Sequence, residues 1–268
     1  MNNTAGFLVT KEYRRFAEFC EACRRNRYIG LCYGHPGVGK TISARHYTRW
    51  ELLEPLLEAV MADNPPVEAQ EWTALLYTPH VGARANHIYE AIRLMRRKHA
   101  WLLDDIKSAL AGREPRRSGG DPADRLQLLV VDEADRLRSD GLECLRDIYD
   151  RSEAGLVLIG MPGIEKRLSR YPQLYSRVGF VHEYRVLTLE EAQHVLAHQW
   201  EKLGLTVDSS DFTDAEAMAT VLRITGGNFR LIQRLFAQVE RIMQINGLQT
   251  VTKEVVEAAR ESLIIGPN

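Results

Sequence analysis

Eight residues near the start of the chain combine glycines, a lysine and a threonine at a spacing that suits phosphate binding. Residues 34–41 match the pattern GxxxxGK[ST] without a gap. Glycines in this loop let successive backbone N–H groups turn inward where a side chain would collide. We expect Lys40 to reach the β- and γ-phosphates of a nucleoside triphosphate and the Thr41 hydroxyl to ligate Mg²⁺. The predicted nucleotide-binding residues are Gly34, His35, Pro36, Gly37, Val38, Gly39, Lys40, Thr41 and Ile42.

Two adjacent carboxylates, Asp132 and Glu133, follow an apolar run at residues 126–131 that is typical of a buried parallel strand. Charges at the carboxyl end of such a strand are costly unless they face a metal ion or a reacting water. We expect Asp132 to lie in the Mg²⁺ shell and Glu133 to polarise the water that attacks the γ-phosphate. Together with the glycine-rich loop, this pair predicts a nucleoside triphosphate hydrolase.

Five apolar segments alternate with helical patterns, which predicts an α/β fold with an open parallel sheet and nucleotide at its carboxyl edge. The predicted strands are residues 27–33, 72–79, 126–131, 155–160 and 178–184. The predicted helices are residues 10–26, 41–54, 85–99 and 134–150, with a short helix that ends at residue 168.

Past residue 186 the strand pattern stops and helical signals follow. Residues 188–191 and 213–216 both match the capping box, and two further helices are expected after Asn228 and near Thr252. The expected organisation is a nucleotide-binding α/β domain over residues 1–186, which includes the N-terminal helix, and a small all-α lid domain over residues 187–268.

The composition is that of an ordinary globular protein. The 268 residues are 45% hydrophobic and 26% charged, and the net charge of −1 means that any DNA contact must come from a local patch. No apolar run approaches the ~18 residues of a membrane span, and no signal-peptide core opens the sequence, so we expect a cytoplasmic protein. Cys20 and Cys23 form a lone CxxC on a helical pattern, which favours packing over metal binding.

The nucleotide loop, the Asp-Glu strand and the helical C-terminal region together resemble the AAA+ ATPases over nearly the whole chain. Within that superfamily, three stretches resemble the transposition regulators of the Mu B, TniB and TnsC type. They are Val-Asp-Glu-Ala-Asp-Arg-Leu at residues 131–137, Leu-Ile-Gly-Met-Pro-Gly at 158–163 and Ser-Arg-Tyr-Pro-Gln-Leu-Tyr-Ser-Arg-Val-Gly-Phe at 169–180.

The resemblance implies an arginine that reaches the γ-phosphate bound by a neighbouring subunit, and Arg177 occupies that place, with Arg170 as the alternative. It also implies that Arg230 contacts the nucleotide from the lid. The alternative interpretation of Arg177 is a surface arginine in an ion pair, and that of Arg230 is an exposed helix arginine. In this family a polar residue often ends the fourth strand and orients the attacking water, whereas Gly160 and Met161 stand there, so we expect slow hydrolysis. The catalytic residues expected on these grounds are Glu133, Arg177 and Lys40.

The resemblance further implies ATP and Mg²⁺ as cofactors and a ring or helical filament of identical subunits around double-stranded DNA. Sequence-independent DNA contacts would map onto Arg84, Arg96, Arg97 and Lys98. The implied partners are a transposase, which the assembly recruits and activates, and a target-selection protein as a further candidate. Two alternatives stay open: an ATPase that loads a helicase or clamp onto DNA, and a nucleotide-gated signalling or defence module that binds no DNA.

Overall fold

The computed structural model describes residues 7–59, 65–113, 124–208 and 211–263. They form two compact units. The first contains residues 13–34 and the described residues from 40 to 184, and the second contains the described residues up to 12, residues 35–39 and the described residues from 185 onward. No helix within these described ranges is both long enough and apolar enough to cross a membrane.

The first unit is built on a five-stranded sheet. Four of its strands are short apolar segments that are largely buried on both faces, whereas the residues of the last strand in the chain alternate between half-buried and exposed. The strands are β1 (Ile29–Tyr33), β2 (Ala74–Tyr77), β3 (Leu128–Val131), β4 (Gly155–Gly160) and β5 (Val178–Glu183). Their spatial order is β2-β3-β4-β1-β5, and every neighbouring pair is parallel. The predicted parallel α/β sheet is therefore confirmed, and β1, which leads into the glycine-rich loop, lies between β4 and β5.

Helices precede and connect these strands, as parallel pairing requires. They are α1 (Lys11–Asn26), α2 (Lys40–Tyr47), α3 (Trp50–Glu58), α4 (Ala85–Leu110), α5 (Ser139–Asp150), α6 (Ile164–Leu168) and α7 (Pro172–Tyr175). On α1 the side chains of Phe16, Cys20 and Cys23 are fully buried and both cysteines are free thiols. The packing interpretation of the CxxC pair is confirmed.

The helix predicted over residues 41–54 is wrong, because the chain breaks it into α2 and α3. Arg49 takes a left-handed backbone conformation with φ of 54°. The hydroxyl of Thr48 donates back to the Ala44 carbonyl at 2.8 Å, which is the kind of local bond that competes with a continuing helix.

Two other helix boundaries also differ from the prediction. The helix predicted over 85–99 continues to Leu110, because buried Leu103 and Ile106 extend its apolar stripe. The helix predicted over 134–150 begins only at Ser139. A 3₁₀ turn at Ala134–Arg136 precedes it, and Leu137 and Arg138 are extended.

The second unit contains a helical bundle with its own core. Its helices are α8 (Leu189–Lys202), α9 (Phe212–Thr225), α10 (Phe229–Asn246) and α11 (Lys253–Glu261). Trp200, Leu235 and Phe236 are buried in this core, and the rings of Trp200 and Phe236 lie 5.0 Å apart. Full burial of one such apolar side chain contributes about 1.5–3 kcal/mol, so these helices form a cohesive unit.

Of the two capping boxes predicted for the bundle helices, one is present and the other is not. Thr188 and Glu191 form the predicted capping box at the start of α8. The box predicted at 213–216 is wrong, because Asp211 caps α9 instead and accepts from the backbone N–H groups of Thr213 and Asp214. Asp is a stronger cap than Thr, so the helix begins earlier.

Candidate nucleotide-binding site

The loop contains three glycines, two at the positions that the motif fixes and one, Gly37, between them, and each is needed there. Gly37 and Gly39 have φ values of 82° and 116°, which residues with a side chain rarely adopt. At Gly34 the reason is space, since a Cβ there would lie 2.2 Å from the carbonyl oxygen of Tyr184. Around the glycines, His35, Pro36 and Ile42 are exposed and Val38 is buried. The loop therefore has the geometry that the phosphate-binding motif requires.

Lys40 and Thr41 stand in the first turn of α2. The Lys40 ammonium Nζ donates to the Gly34 carbonyl at 2.5 Å, so it turns back towards the start of the loop. Thr41 Oγ1 donates to Asp132 Oδ2 at 2.7 Å. The fold thus brings together the hydroxyl and the carboxylate that the sequence predicted as Mg²⁺ ligands, although they are far apart in the chain.

This pair of oxygens fits Mg²⁺ held together with nucleotide. Mg²⁺ prefers oxygen ligands and is usually bound through one or two protein groups plus substrate phosphates. In the part of the chain that the structure describes, no group of three or more His, Cys, Asp or Glu side chains could hold a metal alone. Thr41 and Asp132 would therefore hold Mg²⁺ only with further oxygens, which the phosphates of a nucleotide supply.

Asp132 is a buried carboxylate, 2% exposed, at the end of β3. Its Oδ1 accepts from the backbone N–H of Glu133 at 2.8 Å. Burial raises the pKa of Asp132, while the Thr41 hydrogen bond and the charge of Lys40 lower this pKa and the nearby Asp135 raises it. Because burial outweighs the partners present, a cation beside Asp132 would relieve a real desolvation cost.

Glu133 occupies a strained position. Its φ of 52° and ψ of 41° lie in the left-handed region, which costs roughly 1–3 kcal/mol for a residue with a side chain and is concentrated at functional sites. Its carboxylate forms an ion pair with Arg136, and Arg136 Nη1 donates to the Pro79 carbonyl at 3.3 Å. Glu133 is thus held by a side chain that also contacts the segment after β2.

Asp135 and Arg136 are residues of this site to which sequence reasoning gave no role. Asp135 Oδ1 accepts from the backbone N–H of Met161, just past the end of β4, at 2.7 Å. The sequence feature that could have indicated Asp135 is its place as a third carboxylate in the run Asp-Glu-Ala-Asp. Its contact with Met161 depends on the pairing of β3 with β4, which a local pattern does not encode.

The tip of the loop, residues 35–39, contacts the start of α10 within the second unit. Asn228 Nδ2 donates to the Pro36 carbonyl at 2.9 Å, and the backbone N–H of Arg230 donates to the Gly37 carbonyl at 2.9 Å. Sequence reasoning named Arg230 but missed Asn228, whose signal was its position as the cap of α10. A nucleotide contact by the Arg230 side chain stays a prediction.

The two candidate trans-acting arginines have different surroundings. Arg177 Nε and Nη2 donate to the two carboxylate oxygens of Asp150 at 2.6 and 3.0 Å, and Arg177 also donates to the Gln173 carbonyl. Arg170 is exposed, and among the described residues its guanidinium has no partner. Arg177 therefore lies in an intrachain ion pair, and the role of either arginine towards a neighbouring subunit stays a prediction.

The four predicted DNA-contact residues lie along α4 and at its N-cap. Arg84 is exposed at the cap, whereas Arg96 pairs with Asp124 and the Arg97 guanidinium lies 5.0 Å from the ring centre of Trp101. Lys98 is half-buried. Arg84 is therefore the most exposed of the four. At about 1.5 Å per helical residue, it is separated from Arg96 by roughly 18 Å along the axis. The DNA role of all four stays a prediction.

Comparisons with known proteins agree with this geometry. A family model described as an AAA domain matches residues 23–168. The chain is 44% identical over 276 residues to a Staphylococcus aureus protein described as a potential ATP-binding protein, with 99% of each chain covered. It is 25% identical over 240 residues to the Mu-like prophage FluMu DNA transposition protein B of Haemophilus influenzae, which covers 86% of this chain and 71% of that protein.

Solved structures share the fold at low sequence identity. The Thermotoga maritima RuvB Holliday junction branch migration motor superposes with a TM-score of 0.61 at 17% identity, over 96% of this chain and 70% of that one. The Aeropyrum pernix ORC2 protein superposes with a TM-score of 0.57 at 13% identity, over 97% and 70%. These likenesses confirm the α/β sheet with a helical C-terminal region.

Proposed function

The chain belongs to the AAA domain family, and on that premise we propose that it is an ATPase that assembles on double-stranded DNA with ATP and recruits or activates a transposase. The observation that carries the ATPase part is the contact between Thr41 and Asp132 at the base of the glycine-rich loop, with Glu133 held in a strained conformation beside it. Binding of nucleotide alone would not require a carboxylate placed to activate water.

In the proposed reaction, the loop N–H groups and Lys40 bind the triphosphate, and Thr41 and Asp132 would hold Mg²⁺. When bound, Mg²⁺ neutralises charge on the β- and γ-phosphates. Glu133 accepts a proton from water while the water oxygen bonds to the γ-phosphorus and the bond from phosphorus to the bridging oxygen breaks. The products are ADP and phosphate. Because Arg136 pairs with Glu133, the carboxylate must leave this ion pair before it can approach the water.

The proposal includes an assembly of identical subunits in a ring or a helical filament. Arg177, or Arg170 as the alternative, reaches the γ-phosphate of the neighbouring subunit, so that full turnover requires assembly. The proposal also includes the division of the chain into a nucleotide-binding domain over residues 1–186 and a lid domain over residues 187–268, with Arg230 as the lid residue that contacts the nucleotide. The contact of the Arg230 backbone with Gly37 supports this role.

The DNA and transposase parts are supported by relatives. The Haemophilus influenzae relative is described as a DNA transposition protein, and the RuvB structure as a Holliday junction branch migration motor. With a net charge of −1, DNA binding here depends on a local basic patch, for which Arg84, Arg96, Arg97 and Lys98 are the candidates. A target-selection protein is a further proposed partner.

The test measures ATP hydrolysis and binding to random-sequence duplex DNA, with ATP, ADP or no nucleotide, at several salt concentrations. We expect binding with ATP that weakens steeply with salt, since each phosphate contact adds about −0.9 to the slope of log K against log salt. Arg84→Ala should reduce that slope by about one. Arg223→Ala, which removes an exposed arginine paired with Glu257 in the helical unit, is the matched control and should leave the slope unchanged.

The outcomes separate the parts of the proposal. Failure to hydrolyse ATP, alone and with DNA, would refute the ATPase. Hydrolysis without DNA binding in any nucleotide state would favour the signalling or defence module instead. The proposed activation of a transposase is tested by strand transfer: the protein with ATP should stimulate strand transfer by its cognate transposase.

A further inference from the structure

The end of β4 carries no polar side chain that could act on a water molecule. Gly160 is its last residue and Met161 follows. In the parallel register Gly160 pairs with Tyr33, the residue before the first glycine of the phosphate loop. A polar group at this end of β4 would therefore lie beside the start of that loop.

The space that a side chain on Gly160 would use is taken by Asp135. A Cβ built on Gly160 lies 2.6 Å from Asp135 Oδ1 and 2.5 Å from Ile164 Cδ1, both far below van der Waals contact. The φ of Gly160 is not positive, so its backbone would accept any L residue. The glycine is thus required by the Asp135 carboxylate and the Ile164 side chain, which together occupy its side-chain position.

The carboxylate of Asp135 is fixed at this place. Its Oδ1 accepts from the Met161 N–H at 2.7 Å. Its backbone carbonyl accepts from Arg167 Nη1 at 2.8 Å, and Arg167 also donates to the Leu137 carbonyl, so the turn after Glu133 is tied to α6. Within the described ranges no donor reaches Asp135 Oδ2, which leaves this oxygen able to accept a hydrogen bond.

We propose that Asp135 orients the attacking water, supplying from the turn after β3 the polar group that the end of β4 lacks. The inference rests on the proposed ATPase function. An attacking water has two protons: Glu133 accepts the one that is transferred, and Asp135 Oδ2 accepts a hydrogen bond from the other. With both protons held, the lone pair of the water oxygen is directed at the γ-phosphorus, and such orientation lowers the barrier of the step.

A double-mutant cycle tests this proposal. The variants are Asp135→Ala, Gly160→Ser and the two combined. Glu165→Ala is the matched control, since Glu165 Oε2 accepts from the Gly163 N–H at 2.9 Å in the same turn after β4 and is outside the proposed machinery. Turnover, the affinity for a slowly hydrolysed ATP analogue and the unfolding temperature are measured for each protein.

We expect Asp135→Ala to lower kcat by about a hundredfold, the loss that misplacement of a reacting group can cause, with affinity for the analogue unchanged. Gly160→Ser alone should also lower kcat, because its side chain clashes with Asp135. The combined variant should lose less activity than the product of the two single effects, because its serine no longer meets the Asp135 carboxylate, although it still meets Ile164 Cδ1. Glu165→Ala should match the wild type.

Three results would overturn the assignment. The first is that Asp135→Ala keeps the turnover of the wild type, and the second is that it no longer binds the analogue. The third is that the loss of kcat in the combined variant equals the product of the losses in the two single variants. A wild type that binds ATP but never hydrolyses it would refute the proposed function itself, so the two failures are distinguishable.

Discussion

Replacing Arg177 by alanine is expected to stop hydrolysis in assemblies while costing the single chain little stability. The structure places the Arg177 guanidinium in a two-point ion pair with Asp150, at 2.6 and 3.0 Å. An arginine that acts on a neighbouring subunit must leave this pair. The prediction therefore depends on whether the transition-state stabilisation that Arg177 supplies in the assembly exceeds the free energy lost when its ion pair with Asp150 breaks.

The cost of breaking the ion pair is estimated from the structure, and the gain from the known effect of trans-acting arginines. The side chains of Arg177 and Asp150 are 34% and 26% exposed, so solvent screens their pair and its worth is about 1 kcal/mol. For a protein of this size, that loss lowers the unfolding temperature by roughly 2–4 °C. A trans-acting arginine contributes about 10³–10⁵ in kcat, or about 4–7 kcal/mol. The gain exceeds the cost, so the ion pair does not prevent Arg177 from acting in trans.

The assay mixes two inactive proteins. Glu133→Gln keeps Arg177 but lacks the base, whereas Arg177→Ala keeps the base but lacks the arginine. In a head-to-tail assembly mixed at equal amounts, about one quarter of the interfaces combine an intact Glu133 with a neighbour's Arg177, so about a quarter of the wild-type turnover should return. Asp150→Asn is the control for stability, because it breaks the same ion pair but leaves the arginine, and it should hydrolyse ATP at least as fast as the wild type.

Full turnover by Arg177→Ala would refute this reasoning. If Arg170→Ala were then inactive and complemented by Glu133→Gln, the exposed and unpaired arginine would be the trans-acting one. If mixing restored no activity although each protein bound nucleotide and assembled, the arginine would act within its own subunit.

Further outcomes follow from the contacts around the loop. Lys40→Ala should abolish nucleotide binding, as measured by titration with a fluorescent ATP analogue, because the phosphates lose their ammonium partner. Glu133→Gln should bind ATP with unchanged affinity and show no phosphate release, and it should keep its assembly intact in size-exclusion chromatography with ATP. Burial raises the pKa of Asp132 above its usual 3.8, so the stabilising effect of its protonated form is complete below pH 3.8 and is lost as pH rises through the higher pKa of the folded state. Asp132→Asn should therefore raise the unfolding temperature of the nucleotide-free protein at neutral pH and flatten its pH dependence, and an unchanged pH profile would contradict the cause given. Arg136→Ala should raise turnover without DNA several-fold in a phosphate-release assay, because it frees the Glu133 carboxylate; a fall in turnover would show that Arg136 assists the reaction.

The sequence alone determined the phosphate loop, the Asp132–Glu133 pair and the parallel sheet. These features are local, since a cradle for phosphates needs glycines at fixed spacing within one short loop, and a buried parallel strand needs an uninterrupted apolar run. The α2–α3 break escaped prediction even though it is local, because Arg49 takes a conformation that its residue type does not favour.

Only the tertiary structure decided which side chains accompany the predicted ones. The contact of Asp135 with Met161 exists because β3 and β4 are neighbours, and Asn228 reaches the loop although it is far away in sequence. The pairing of Arg177 with Asp150 likewise depends on how distant segments pack. Hydrogen bonds and ion pairs act over a few ångströms, so partners that the chain brings together only on folding leave no signal in the local sequence.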